Sequence, residues 1–145
     1  MMADDPLTET LDPKSKLVGR AQGIYALSGQ QELGLLMSFS YSFVDEPYNG
    51  STFSLVGKNP VMNPVREMPV VGGTGLFRMA RGYAIAKTHW FDITTGDAIV
   101  GYPCSLNLQF YICNKSLYGS IIDLSYYMYC NKSLYGSIID LSNLV

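Results

Sequence analysis

The segment from Met37 to Phe43 shows the strictest alternation in the chain. Large apolar or aromatic residues (Met37, Phe39, Tyr41, Phe43) alternate there with three serines. A period of two places the large side chains on one face of a β-strand, whereas a helix would spread them around its circumference. The segment therefore predicts a strand with one buried face.

Weaker alternation, or a composition rich in β-forming residues, recurs along the chain. The candidate strands are Val18–Leu27, Ser51–Val56, Phe77–Trp90, Asp97–Tyr102 and Ser105–Ile112. Turn-forming residues separate them at Ser28–Gly29, Glu46–Gly50, Gly57–Pro64 and Thr95–Gly96. Strands at such intervals are typical of an antiparallel sandwich or barrel, so we predict an all-β fold.

The composition excludes several classes of function. A chain of 145 residues holds one ordinary domain. Its net charge of -2 offers no basic surface for nucleic acid, and no apolar run is long enough to cross a membrane. The three cysteines, Cys104, Cys113 and Cys130, show no metal-binding or redox spacing, so we expect neither a metal nor a cofactor. Their disulfide state is left open.

A repeat of thirteen identical residues occupies 113–125 and again 130–142. Two copies do not make a solenoid. Structural repeats need to keep only their buried pattern, so perfect identity indicates a recent duplication or translated non-coding sequence. We therefore predict a partial barrel over residues 1–112 and a duplicated tail, outside the fold, over residues 113–145.

The glycine-rich segment from Val70 to Ala84 admits two interpretations. In the first, Gly73-Thr74-Gly75 binds a pyrophosphate at the start of a helix. This helix would contain Gly82, at a cost of about 1 kcal/mol relative to Ala, and would need a further βα unit that the flanking segments do not provide. In the second, Phe77–His89 is one long strand that carries Arg81 on its bulky face. The pattern alone lets that face point inward or outward equally well.

Five blocks, in order along the chain, resemble the motifs of plant dirigent proteins. They are Leu17–Tyr25, Tyr48–Thr52, Gly57–Pro60, Val65–Gly75 and Ala80–Ala84, and the similarity covers roughly Asp4 to Val100. The resemblance implies an eight-stranded antiparallel β-barrel of the dirigent and allene oxide cyclase type. It also implies a homotrimer that is glycosylated and secreted to the apoplast, with a role in plant defence.

The same resemblance implies a function and a site. Dirigent proteins bind phenolic radicals or quinone methides, made by an external laccase or peroxidase, and give stereoselectivity to their coupling in lignan and phenolic biosynthesis. They have no oxidase activity of their own. By resemblance, Arg81 matches the pocket arginine that activates the intermediate and Tyr25 matches a pocket-lining aromatic. Phe77 and Tyr83, on the same predicted face as Arg81, would add aromatic walls, and Asn49 begins a glycosylation sequon.

The sequence departs from the family pattern in three places. Leu76 stands where lignan-forming members have an Asp, which argues against lignan-forming chemistry and indicates the functionally diverse, non-lignan dirigent-like branch, some of whose members resemble pterocarpan synthases. The alternative function is therefore a cofactor-free dehydratase or cyclase of the pterocarpan synthase type. The family's signal peptide and first strand have no counterpart before Met1, so we expect an open barrel, and a non-functional truncated product is a further alternative. Gly101-Tyr102-Pro103 interrupts the expected last strand, because Pro103 lacks an N–H for a sheet ladder.

Overall fold

The computed structural model describes the backbone of residues 1–112 and 115–130, and side chains as far as residue 107. The described strands form a closed antiparallel barrel in which each strand pairs with the next along the chain. The predicted all-β barrel of eight antiparallel strands is therefore confirmed. The strands are β1 (Met2–Thr8), β2 (Leu17–Leu27), β3 (Gly34–Phe43), β4 (Thr52–Pro60), β5 (Arg66–Thr74), β6 (Arg81–Phe91), β7 (Ala98–Ile112) and β8 (Lys115–Cys130).

The register of β3 explains the alternation in its sequence. Tyr41 pairs with Ala21 on β2 and with Phe53 on β4, and all three are buried in the barrel. The serines lie on the outer face, where the Ser40 hydroxyl is 3.0 Å from that of Ser54. The large residues of the pattern thus build the core, and its serines face solvent.

A tight approach between β2 and β3 explains one glycine. A Cβ atom at Gly23 would lie 2.1 Å from the Ser38 carbonyl oxygen, far inside van der Waals contact. Glycine alone therefore allows the two strands this separation. Since β2 and β3 pair from Gly19 to Leu27, the contact lies in the middle of a continuous ladder.

The interior has two ends that differ in composition. At one end four aromatic residues pack together, with ring centroids 5.4 to 6.0 Å apart: Phe43, Tyr48, Phe53 and Phe77. We call these four residues the aromatic end. At the other end, where β4 finishes and β5 starts, Asn59 and Arg66 are buried. We call this pair the polar end.

Several strands differ from those predicted. The Gly57–Pro64 segment was expected to be a turn, but β4 continues to Pro60 and the turn occupies 61–65. β5 was not predicted as a strand. Pro103 does not end the last predicted strand, because β7 runs through it with the proline exposed to solvent.

The glycine-rich segment ends a strand and begins a turn. After β5 a single 3-10 turn covers Gly75–Phe77, and the chain becomes extended again at Arg81. Gly75 and Met79 both have left-handed backbone angles, with φ of 59° and 63°. The described residues between Thr74 and Arg81 form no α-helix, so the dinucleotide interpretation is wrong. The long-strand interpretation is confirmed from Arg81 onward and is wrong for Phe77–Ala80.

The end of the barrel differs from the expected one. We predicted that the fold ends near Ile112 and that the barrel is open at its start. In the structure, β8 contains most of the first repeat copy and pairs with β7 from Cys130 back to Lys115. It also pairs with β1 at Leu7 and Thr8 and closes the barrel. An unpaired edge of β7 would expose a row of backbone donors and acceptors, which β8 satisfies. The second copy beyond Cys130 lies outside the described residues.

The described chain shows no helix of the length and apolarity that a membrane crossing requires.

Candidate functional site

Arg81 does not project into the barrel. On β6, Ala84 and Ala86 are fully buried, so residues of that parity face inward and Arg81 is exposed on the outer side. The predicted inward placement is wrong because the 3-10 turn and the left-handed Met79 interrupt the alternation between Phe77 and Arg81. Phe77 is buried, yet Arg81 does not share its face.

The guanidinium of Arg81 contacts backbone groups instead. Its Nη1 donates to the carbonyl oxygen of Val71 on β5, and it lies 3.2 Å from the carbonyl oxygen of Ala80. Both acceptors belong to the chain on either side of the glycine turn. In this structure Arg81 therefore links the end of β5 to the start of β6.

The other three predicted pocket residues lie apart from one another. Tyr83 is 45% exposed on the outer face, between Pro69 and Ser105. Phe77 is fully buried at the aromatic end. Tyr25 packs against the core near the opposite end, with its ring stacked on that of Phe39 at a centroid distance of 6.3 Å. The structure does not bring Arg81, Tyr25, Phe77 and Tyr83 into one pocket, and their roles in binding stay predictions.

Asn49 lies on an exposed turn between β3 and β4. The third residue of its sequon, Ser51, is buried, and its hydroxyl oxygen accepts a hydrogen bond from the backbone N–H of Leu76 at 3.1 Å. The asparagine side chain is thus accessible, while the serine ties the turn to the segment after β5. Glycosylation at Asn49 stays a prediction.

Three buried polar residues inside the barrel are not among the site residues predicted from the sequence. Asp5, Asn59 and Arg66 are only 4%, 5% and 4% exposed. Arg66 shares its face of β5 with the buried Met68 and Val70, an alternation that was visible in the sequence. Because Arg66–Thr74 is a strand, this alternation places a charged residue in the core.

Asn59 has an amide with one weak contact. Its Nδ2 donates to the sulfur of Met37 at 2.8 Å, and thioether sulfur is a weak acceptor. Its Oδ1 is buried and accepts no hydrogen bond from any described residue. A buried acceptor without a donor costs about 1–3 kcal/mol, so this oxygen needs an explanation.

Arg66 brings a positive charge to the same end of the barrel. It lies opposite Ala86 on β6, and its Nη1 donates to the Val61 carbonyl oxygen at 3.0 Å. A guanidinium stays protonated at any physiological pH and carries five N–H donors in a planar fork, so it can serve several acceptors at once. Its burial therefore gives the interior a fixed cationic donor.

Cys104 and His89 give little support to covalent or metal chemistry. Burial raises the pKa of the Cys104 thiol to about 12, which keeps it neutral and weakly nucleophilic. His89 is exposed on β6. Within the described residues no cluster of His, Cys, Asp and Glu is arranged to hold a metal ion. The described interior suits hydrogen bonding and aromatic packing.

A family model described as dirigent-like protein matches residues 1–107. The chain is 69% identical to dirigent protein 23 of Arabidopsis thaliana over 105 residues, which is 72% of this chain and 56% of that protein. It is 54% identical to pterocarpan synthase 1 of Glycine max over 105 residues, again 72% of this chain and 56% of the relative. The chain belongs to the dirigent family, and it spans a little over half the length of these relatives.

Two solved structures show the same fold. Both are pterocarpan synthase dirigent proteins, and each superposes with a TM-score of 0.67. The first is 43% identical, with 89% of this chain and 66% of that chain covered. The second is 41% identical, with 90% and 69% covered. The dirigent barrel is thus shown by sequence and by structure.

Proposed function

We propose that this protein binds oxidised phenylpropanoid phenols inside its barrel and biases the stereochemistry with which they couple. A separate laccase or peroxidase supplies the radicals, and the protein oxidises nothing itself. The observation that carries this proposal is that Arg66 and Asn59 are both buried at the polar end of a barrel of the dirigent family. The interior of a barrel of eight strands is either filled by side chains or holds one small ligand, and the proposal takes the second arrangement for the polar end.

The energy that such a function requires is modest. A difference of about 1.4 kcal/mol between two competing transition states gives tenfold selectivity. A charge-assisted hydrogen bond from a buried guanidinium to a quinone-methide oxygen has roughly this strength. Aromatic side chains such as Tyr25 and Phe39 would fix the plane of the phenol ring by stacking.

A second candidate is a cofactor-free dehydratase or cyclase of the pterocarpan synthase type. It is favoured by the 54% identity to a pterocarpan synthase and by the two structural neighbours described above. Leu76, which stands at the position of the lignan-type Asp, is 45% exposed, and its described polar contact is made by the backbone N–H to Ser51. Turnover of an isoflavonoid alcohol with no oxidant present separates this candidate from the first.

The coupling test measures enantiomeric excess after a laccase oxidises coniferyl alcohol in the presence of the protein. We expect a chiral excess that Arg66→Met removes. Arg81→Leu, outside the barrel, should keep the excess, as should the control Arg78→Met, since Arg78 is exposed. Circular dichroism first establishes that each variant unfolds cooperatively. Racemic product with every phenol tried would contradict the proposal.

We also propose that the protein acts outside the cell as a glycosylated homotrimer with a role in plant defence, as the family resemblance implies. The exposed turn that carries Asn49 is compatible with a glycan. Light scattering on the purified protein would measure the trimer. Glycopeptide mass spectrometry on protein from plant apoplastic fluid would test secretion and glycosylation together.

A further inference from the structure

The unsatisfied oxygen of Asn59 defines one feature of the ligand. Asn59 Oδ1 is buried and has no donor among the described residues, although its Nδ2 contacts Met37. A carbonyl oxygen in this position can only accept, so the ligand group that satisfies it must carry a hydrogen. An ether, a carbonyl or a deprotonated phenol would leave it unsatisfied.

The location of Asn59 directs this hydrogen bond into the barrel. Asn59 pairs with Leu35 on β3, and Met37, which its amide touches, is 5% exposed on the inner face. Tyr25 pairs with Met37 and stacks on Phe39, so an aromatic pair borders the same region. A hydroxyl that reaches Asn59 would thus extend from a ring close to this pair.

The chemistry of the proposed function decides which hydroxyl this is. Oxidation to a phenoxyl radical or a quinone methide removes the phenolic hydrogen, so the phenolic oxygen becomes an acceptor and suits Arg66. The hydrogen that survives oxidation belongs to the alcohol of the propenyl side chain. We infer that Asn59 is a specificity residue that accepts a hydrogen bond from the side-chain alcohol of the ligand. This inference rests on the proposed function and narrows its substrates to phenols with an alcohol side chain.

The test uses two probes that differ by this hydroxyl alone. Coniferyl alcohol carries the side-chain alcohol and stands in for its short-lived oxidised forms, whereas isoeugenol has a methyl group at the same carbon. We expect the wild-type chain to bind coniferyl alcohol about tenfold more tightly, the usual effect of one lost hydrogen bond to a buried partner. Asn59→Leu should bind both probes equally. Titration calorimetry measures each affinity.

A matched control shows whether the loss of preference in Asn59→Leu comes from the position of the substitution or from any Asn→Leu change in the protein. Asn63→Leu makes the same chemical change at an exposed position in the β4–β5 connection, and it should keep the tenfold preference. Asn59→Gln keeps the amide and should retain part of the preference. A third probe, the phenol methyl ether of coniferyl alcohol, reports on contacts to the phenolic oxygen, since it keeps the side-chain alcohol. Its affinity relative to coniferyl alcohol should be unchanged by Asn59→Leu.

Each result decides a different point. A wild-type preference that survives Asn59→Leu would overturn the inference and leave the proposed function standing. The inference is also overturned, with the proposed function still standing, if Asn59→Leu changes the affinity for the phenol methyl ether relative to coniferyl alcohol. If the wild-type chain binds none of the three probes, the inference and the proposed function both fail.

Discussion

The two ends of the barrel are built on different principles. At the aromatic end, Phe43, Tyr48, Phe53 and Phe77 fill the space with rings in mutual contact. At the polar end, Asn59 and Arg66 place an unsatisfied acceptor and a positive charge in the interior. Filled apolar packing stabilises a fold, whereas buried polar groups cost free energy unless they find a partner. The first end therefore contributes stability, and the Asn59 oxygen, which has no donor among the described residues, is the reason we propose the second end as the binding end.

The largest expected effect is at the aromatic end. Phe77→Ala should lower the free energy of unfolding by about 3–5 kcal/mol, because it opens a cavity among three packed rings. Leu76→Ala, at the neighbouring half-exposed position, should change it by less than about 1 kcal/mol. Urea denaturation followed by circular dichroism measures both. Equal effects at the two positions would remove the distinction between filled core and surface.

A substitution of Arg81 shows whether its contacts on the outer surface, next to the aromatic end, stabilise the fold. Arg81→Leu removes the hydrogen bonds to the carbonyl oxygens of Val71 and Ala80, so we expect a loss of stability of about 1 kcal/mol. Phenol affinity should not change. A tenfold loss of affinity with unchanged stability would instead support the pocket role that the family resemblance gives to Arg81.

An ion pair between Asp4 on β1 and Arg20 on β2 makes a pH-dependent contribution to the stability of the fold. The hydrogen bond from Arg20 holds the pKa of Asp4 below its ordinary value of 3.8. A lowered folded pKa stabilises the fold at neutral pH, and this contribution is lost as the pH falls below 3.8. Asp4→Asn should therefore cost about 0.2–1 kcal/mol at pH 7, as exposed ion pairs do, and progressively less in acid. A cost that grows in acid would contradict this assignment.

The smallest expected effect on stability is at the polar end. Asn59→Leu removes an acceptor that has no donor among the described residues. It replaces the amide with an apolar side chain of similar size. The melting temperature should stay the same or rise, because an unsatisfied buried group contributes nothing to the fold. A loss as large as that of Phe77→Ala would mean that Asn59 holds the fold together, and the contrast between the ends would disappear.

The sequence predicted the barrel better than it predicted the site. The alternation in β3 and the ordered family blocks were sufficient for an antiparallel barrel. The face of Arg81 was not predictable by counting residues from Phe77, because a 3-10 turn and a left-handed Met79 lie between them. Alternation gives the face of a side chain only within one uninterrupted strand.

Asn59 was missed for a related reason. Glycine and proline around it suggested a turn, yet the pairing of β4 with β3 extends as far as Pro60 and keeps Asn59 in the sheet. Long-range pairing therefore overrode the local composition. An open barrel edge was expected, but the strand that closes it was not, because the exact identity of the two repeat copies indicated a tail outside the fold, whereas β8 contains most of the first copy.

One measurement tests most directly where the ligand binds. In the protein with ¹³C-methyl methionine, the methyl signal of Met37 reports on the polar end and that of the exposed Met79 reports on the surface near Arg81. Adding coniferyl alcohol should shift the Met37 signal in a saturable way and leave Met79 in place. A saturable shift of Met79 with no change at Met37 would place the ligand outside the barrel and contradict the account.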